Sequence, residues 1–333
     1  MEWNLIYKIF GLLFFSELAY FKVADRLNII DKPNKRSSHE RITLLGGGVV
    51  FYFGVLLYSI WFNVPYHWYF AGLTLIAGIS FLDDIRPIPS KIRLVFHFAA
   101  MMLMFQEWGL FSGTPLWYIL AGLIFCTGII NAYNFMDGIN GLTGVYSFVI
   151  ILVLEYINTQ IVHFIDSAYL GTVLISLAVF IFFNFRKNAK CFAGDVGSVG
   201  IAFIILFALG KLILVTKDPS YLIVLAVYGV DTILTIVHRI MLKENILEAH
   251  RKHAYQLMAN ELKMPHVLVS SIYAAVQALI IAGYFIFTDF RWLYFACVIA
   301  VLSIAYVIFM RKYFKIHVKA MEAKQTTLKR DFI

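Results

Sequence analysis

The sequence is poor in charged residues and in cysteine. Only 14% of its 333 residues are charged and 61% are apolar or aromatic, whereas a soluble domain has about 25% charged residues. This composition excludes a soluble enzyme and a disordered chain. Three cysteines, at positions 126, 191 and 297, are too few and too scattered for a disulfide framework or a zinc site. The mean hydropathy of +0.79 indicates a polytopic membrane protein.

Apolar segments long enough to cross a bilayer recur along the chain. A spanning helix needs about 20 apolar residues, and we therefore predict an all-α polytopic integral membrane protein with about 11 transmembrane helices. The predicted spans are Leu5–Ala24, Leu44–Phe62, Trp68–Leu82, Ile92–Gln106, Leu116–Ile130, Leu142–Tyr156, Ala168–Asn184, Val199–Val215, Tyr221–His238, His266–Phe287 and Trp292–Met310.

The basic residues set the predicted orientation, because Lys and Arg collect in cytoplasmic loops. The outer loops hold only Lys217 and Arg291, which places the N-terminus outside and the C-terminus in the cytoplasm. The net charge of +8 then lies along the inner membrane surface, which argues against nucleic acid as a partner. We predict one transmembrane catalytic domain, residues 1–310, and a basic cytoplasmic tail, residues 311–333, that is attracted to anionic lipid.

Polar residues gather in the predicted inner loops, where carboxylates near hydrocarbon are costly and therefore informative. Four inner loops carry them: Asp83 and Asp84; Asp137; Asp195; and His250, Arg251 and His253. Each group alone has a structural explanation, such as an interfacial helix cap. Their joint occurrence at one membrane depth predicts a functional site on the cytoplasmic face.

The residue types in these loops favour phosphoryl transfer. Clustered carboxylates are hard oxygen ligands that suit Mg²⁺ or Mn²⁺, and two predicted spans begin at the inner face, where helix N-termini bind phosphate. Lys91, Arg93 and Arg251 add fixed positive charge. A site at the membrane surface predicts a lipid as one substrate. The alternative is a transporter, although a transporter would place its ionisable groups near mid-membrane.

Five motifs, in order along residues 25–258, resemble those of the polyprenyl-phosphate N-acetylhexosamine-1-phosphate transferases. The matching stretches are Asp31-Lys-Pro-Asn34 with Arg36-Ser37-Ser38-His39 and Gly46-Gly47-Gly48; Asp83-Asp84 with Lys91 and Arg93; Asn131 to Leu142; Asn184 to Ser198; and His250-Arg251-Lys-His253-Ala-Tyr255-Gln256. An aspartate pair alone would be weak evidence, but the ordered set is specific.

The resemblance implies a bacterial inner-membrane enzyme with its active site on the cytoplasmic face. It would transfer an N-acetylhexosamine 1-phosphate from a UDP-sugar to undecaprenyl phosphate, release UMP and require Mg²⁺ or Mn²⁺, as the first step of a cell-envelope polysaccharide such as O-antigen or capsule. A single in-line displacement is favoured over a phospho-aspartate intermediate. A homodimer is compatible with the resemblance.

The resemblance also assigns roles to individual residues. Catalytic roles go to Asp83, Asp84 and Asp195; metal binding to Asp195 and Asn134; substrate binding to Lys91, Arg93, Asn131, Asp137, Asn140, His250, Arg251 and His253, with Asn140 on the uracil and the last three on the pyrophosphate. Two positions depart from the family pattern. Asn140 replaces an Asp of many bacterial members, although an amide can also pair with an imide edge. Leu45 stands where relatives often have a basic residue.

Overall fold

The computed structural model describes residues 3–33, 38, 41–62, 66–246 and 250–330, with side chains described as far as residue 318. Within these residues the chain forms twelve α-helices: α1 Trp3–Arg26, α2 Val49–Phe62, α3 His67–Ile85, α4 Ser90–Glu107, α5 Leu116–Met136, α6 Leu142–Gln160, α7 Ser167–Asn184, α8 Gly194–Thr216, α9 Ala226–Met241, α10 Ala254–Asn260, α11 His266–Ile286 and α12 Arg291–Arg330. Short 3₁₀ turns, Pro219–Leu225 and Thr288–Phe290, precede α9 and α12.

The helices confirm an all-α polytopic membrane protein. A helix coincides with each of the eleven predicted spans. In the part of the chain that the structure describes, nine helical segments are long and apolar enough to cross a membrane. The remaining two are α2, which has only 14 residues, and α4, which carries Lys91 and Arg93 in its first turn.

Several predicted boundaries differ from the structure. Helix α8 begins at Gly194 and not at Val199, so Asp195, which was predicted to lie in a loop, is in its first turn. Helix α5 ends at Met136 and not at Ile130, so Asn131 and Asn134 lie on this helix.

The span predicted to begin at Leu44 begins as a helix only at Val49, because Thr43–Leu44 forms strand β2, which pairs antiparallel with strand β1, Ile30–Asp31. Gly46 then turns the chain with a φ of +80°, a conformation that glycine adopts without strain. At the other end, α12 continues past Met310 to Arg330, so most of the predicted tail is helical.

Helix α8 forms the centre of the bundle. Every residue from Val196 to Leu209 is buried, as expected for a helix that is apolar on all sides. It packs against α2, α3, α5 and α6. Its N-terminus is therefore surrounded by the ends of these helices and by the loops that join them.

A close backbone contact fixes the start of α8 against the glycine triplet. The amide of Gly47 donates to the carbonyl of Phe192 at 2.8 Å, and that of Gly48 donates to the carbonyl of Ala193 at 3.0 Å. A Cβ on Gly48 would lie much closer to the Gly197 Cα than van der Waals contact allows. Glycine is therefore needed at position 48 for the two backbones to approach each other. The glycine triplet, which is part of the first motif, thereby determines where the fourth motif lies.

Candidate active site

Asp84 caps the N-terminus of α8. Its Oδ1 accepts a hydrogen bond from the backbone N–H of Asp195 at 2.8 Å, and its Oδ2 accepts one from the N–H of Val196 at 3.1 Å. A carboxylate at a helix N-terminus pairs orphan donors and interacts favourably with the helix dipole. Asp84 is therefore a residue that holds Asp195 in place, a role that the motif alone did not indicate.

Arg93 joins the two remaining aspartates of the predicted catalytic set. Its Nη1 donates to Oδ2 of Asp83 at 2.6 Å and also to Oδ2 of Asp195. The other oxygen of Asp83 accepts the N–H of Ile88 at 2.5 Å. The exposed fractions of the three charged side chains lie between 13% and 29%. Two carboxylates thus converge on one cationic nitrogen at the end of the bundle where α8 begins.

Asn134 orients Asp195 from the opposite side. Its Nδ2 donates to Oδ1 of Asp195 at 2.7 Å and to Oγ of Ser198 at 3.2 Å. Asn131 is half-buried one turn earlier on α5, and residues three apart share a helix face. The sequence analysis gave Ser198 no role, although it ends the fourth motif.

The loop between α5 and α6 forms the second wall of the site. Oδ1 of Asp137 accepts a hydrogen bond from Thr143 at 2.7 Å, while burial raises the pKa of Asp137 to about 7. Oδ1 of Asn184 accepts the N–H of Gly141 at 2.7 Å, and its Nδ2 donates to the carbonyl of Cys191 at 2.8 Å. Asn184 therefore links this loop to the segment that leads into α8.

The amide of Asn140 has a fixed orientation. Its Nδ2 donates to the backbone carbonyls of Arg186 at 2.9 Å and Lys187 at 3.2 Å. Its Oδ1 is buried and has no hydrogen-bond partner among the described residues. Because a buried unpaired acceptor is costly, this oxygen is suited to receive a donor from a ligand.

A cleft of about 360 Å³ lies between these walls. Five predicted site residues line it: Asp84, Asn134, Asp137, Asn140 and Asp195. Its lining also includes residues to which the sequence analysis gave no role: Asp31, Ser38, Leu45, Asn184, Phe192, Gln256 and His266. All of these except His266 lie in or beside the quoted motifs, whereas His266 carries no sequence signal and is brought in by the start of α11.

The loop with the two histidines lies beside the cleft, and its side chains are held by buried acids. Nδ1 of His253 lies 3.2 Å from Oδ1 of Asp231, and Nη2 of Arg251 donates to Oε1 of Glu261 at 3.1 Å. Burial lowers the pKa of His250 to about 3, so its imidazole is neutral at neutral pH. None of the three lines the cleft described above. Their role in binding pyrophosphate stays a prediction.

Three further parts of the predicted motifs are Lys91, the first motif and Leu45. Lys91 is exposed in the first turn of α4, two residues before Arg93. Asn34, Arg36, Ser37 and His39 of the first motif lie outside the described residues. Leu45 places an apolar side chain in the cleft wall.

Comparison with known proteins relates the middle of the chain to one family. The sequence profile of glycosyl transferase family 4 matches residues 66–213, a stretch that includes Asp83, Arg93, Asn134, Asn140 and Asp195. Over this stretch the chain is similar to glycosyl transferase family 4. The loop with the two histidines and the helices after it lie beyond the matched region.

The chain is also similar to curated bacterial transferases. The chain is 24% identical over 266 residues to a probable undecaprenyl-phosphate N-acetylglucosaminyl 1-phosphate transferase of Bacillus subtilis, with 72% of both chains covered. It is 30% identical over 233 residues to an undecaprenyl-phosphate alpha-N-acetylglucosaminyl 1-phosphate transferase of Escherichia coli K12, with 60% of each chain covered. A Yersinia pestis protein of the latter name is 26% identical over 286 residues, which cover 78% of this chain and 76% of the relative.

We predict that Asp84→Asn destabilises the protein. The amide keeps one acceptor oxygen for two backbone donors and loses the charge that favours a helix N-terminus, so we expect a loss of about 1–2 kcal/mol. Thermal unfolding of the purified protein in detergent measures it. Asp289→Asn makes the same chemical change on an exposed carboxylate and should leave the melting temperature unchanged. Equal melting temperatures for the two variants would contradict the capping role.

Proposed function

We propose that this protein transfers an N-acetylhexosamine 1-phosphate from a UDP-sugar to undecaprenyl phosphate and releases UMP. The observation that carries the proposal is the convergence of Asp83 and Asp195 on one cationic nitrogen beside the N-terminus of α8. Acids arranged around a cation, next to helix amides, suit a pair of phosphate substrates. The names of the similar transferases support the lipid phosphate as acceptor. The reaction would take place at the inner face of a bacterial cytoplasmic membrane and begin a cell-envelope polysaccharide.

The donor set of this site fits Mg²⁺, or Mn²⁺ in its place. Among the residues described, no three His, Cys, Asp or Glu side chains form a complete metal site, but Mg²⁺ usually takes only one or two carboxylates and fills its shell with water and substrate phosphates. We infer that Asp195 and Asp83 would hold the ion, with Asn134 as a further ligand. When bound, the ion would neutralise the charge that two phosphate substrates bring together.

Charge repulsion, rather than deprotonation, is the main barrier that the protein must lower. A phosphate monoester has a second pKa near 6, so the lipid phosphate is largely a dianion at neutral pH. Two unit charges 4 Å apart repel by about 4 kcal/mol at an effective dielectric constant of 20. The guanidinium of Arg93 would counter part of this repulsion in a direct in-line attack on the β-phosphorus. Asp83 would hold the ion and is not needed as a base.

The hydrogen bonds of the Asn140 amide support a role in uracil recognition. Because both hydrogens of its amide are donated to backbone carbonyls, the group of this side chain left to bind a ligand is the acceptor Oδ1, which has no partner among the described residues. The N3–H of uracil is a donor that this oxygen would accept.

Membranes from cells that overexpress the chain provide the direct test. Undecaprenyl phosphate and radiolabelled UDP-N-acetylglucosamine, or another UDP-N-acetyl sugar, are supplied with Mg²⁺ or with EDTA. We expect label in the organic phase, equimolar UMP, and neither product with EDTA or with the Asp195→Asn variant. Release of UDP in place of UMP would mean plain glycosyl transfer. Absence of a lipid product with the whole donor panel would reject the proposed activity and favour transport.

We predict that Asn140→Ala raises the KM for the UDP-sugar about tenfold while kcat changes little. A uracil contact is made equally in the ground state and the transition state, and loss of such binding appears in KM. Asn158→Ala is the matched control, because Asn158 is equally buried and bonded at the opposite end of α6. Steady-state kinetics of lipid labelling measures both constants. A loss confined to kcat would place Asn140 in the chemical step.

A further inference from the structure

The cytoplasmic part of α12 packs against the histidine loop, defined here as residues 250–253, and the short helix α10 that follows it. Leu257 of α10 is buried in one cluster with Tyr306 and Met310 of α12, and Phe314 packs against the same cluster. Residues 306, 310, 314 and 317 follow one another at intervals of three or four, so they lie on one face of the helix. Lys315 is exposed and belongs to another face.

A first hydrogen-bonded chain links α12 to His253. The hydroxyl of Tyr306 lies 2.8 Å from Oγ1 of Thr235, which donates to Oδ1 of Asp231 at 3.2 Å. The same Asp231 oxygen lies 3.2 Å from Nδ1 of His253. Tyr273 donates to the other Asp231 oxygen at 2.6 Å. Since a carboxylate on one imidazole nitrogen fixes the ring and its tautomer, α12 contributes to the position of His253.

A second, independent chain links α12 to Arg251. Oε1 of Glu261 accepts from Nη2 of Arg251 at 3.1 Å and lies 2.8 Å from Nδ1 of His317. The side chains of Arg251, Glu261 and His317 are only 6%, 2% and 3% exposed. Buried charges are stable only when they are paired in good geometry. The place of Arg251 therefore depends on Glu261, which in turn is held by His317.

We infer that the cytoplasmic end of α12 is a positioning element for the histidine loop, and that Glu261 and His317 are positioning residues. The inference rests on the proposed function, in which this loop contacts the pyrophosphate of the UDP-sugar. The two faces of α12 then have different roles. The buried face, which carries His317, orders the histidine loop. The exposed face, which carries Lys315, can meet lipid headgroups. The basic tail predicted from the sequence is thus also a structural part of the donor site.

The test compares His317→Ala with Lys315→Ala in the full chain. Loss of the hydrogen bond that holds Glu261 lets Arg251 move, so we expect the KM for the UDP-sugar to rise about tenfold with little change in kcat, as for lost ground-state binding. Lys315→Ala should match the wild type. His317→Asn, which returns a nitrogen donor near the Nδ1 position, should recover most of the affinity. Glu261→Gln removes the charge that pairs with Arg251 and should raise KM at least as much as His317→Ala.

Three outcomes decide the inference. A rise in KM for His317→Ala that His317→Asn reverses supports it. Equal KM values for His317→Ala and Lys315→Ala overturn it, as does a lower melting temperature with an unchanged KM, which would show packing alone. Failure of the wild type to label lipid from any UDP-sugar is a different result, because it rejects the proposed function itself.

Discussion

Neutralisation of acidic side chains at the membrane surface is the constraint on which this structure depends. Carboxylates close to hydrocarbon are costly unless they are paired. Asp83 and Asp195 share the guanidinium of Arg93, while Asp84 is paired with backbone donors of α8. These contacts tie together α3, α4 and α8, and Asn134 adds α5. The interactions that stabilise this end of the bundle are therefore those that form the candidate site.

The chemistry of the site follows from the same pairing. A protein that holds the guanidinium of Arg93 between two acids has a place prepared for positive charge. The phosphate substrates that we propose bring negative charge to this place, while the carboxylate of Asp84 already pairs with the N-terminus of α8. The same two acids therefore stabilise the fold when they pair with the Arg93 guanidinium and would serve binding when they pair with a metal ion.

The sequence predicted the all-α membrane fold, the family and the gathering of the motifs, because apolar run length, charge placement and motif order are local properties. It did not predict which partner each charged group takes. Asp84 looks the same as Asp83 in the sequence, yet one caps a helix and the other binds Arg93. Glu261 and His317 are 56 residues apart, and no local pattern indicates their contact. The strand Thr43–Leu44 was likewise missed, because it begins an apolar run and its pairing with Ile30–Asp31 is not visible in a local pattern.

The binding of Mn²⁺ to the purified protein, followed by electron paramagnetic resonance, tests the central claim most directly. If the guanidinium of Arg93 occupies the position that a divalent metal ion would take, Arg93→Gln should bind Mn²⁺ more tightly than the wild type. Asp195→Asn, which removes a proposed ligand charge, should bind Mn²⁺ more weakly. Lys91→Gln, which removes an exposed cation two residues away, should have a much smaller effect than Arg93→Gln. Weaker binding by Arg93→Gln, or unchanged binding by Asp195→Asn, would contradict the account.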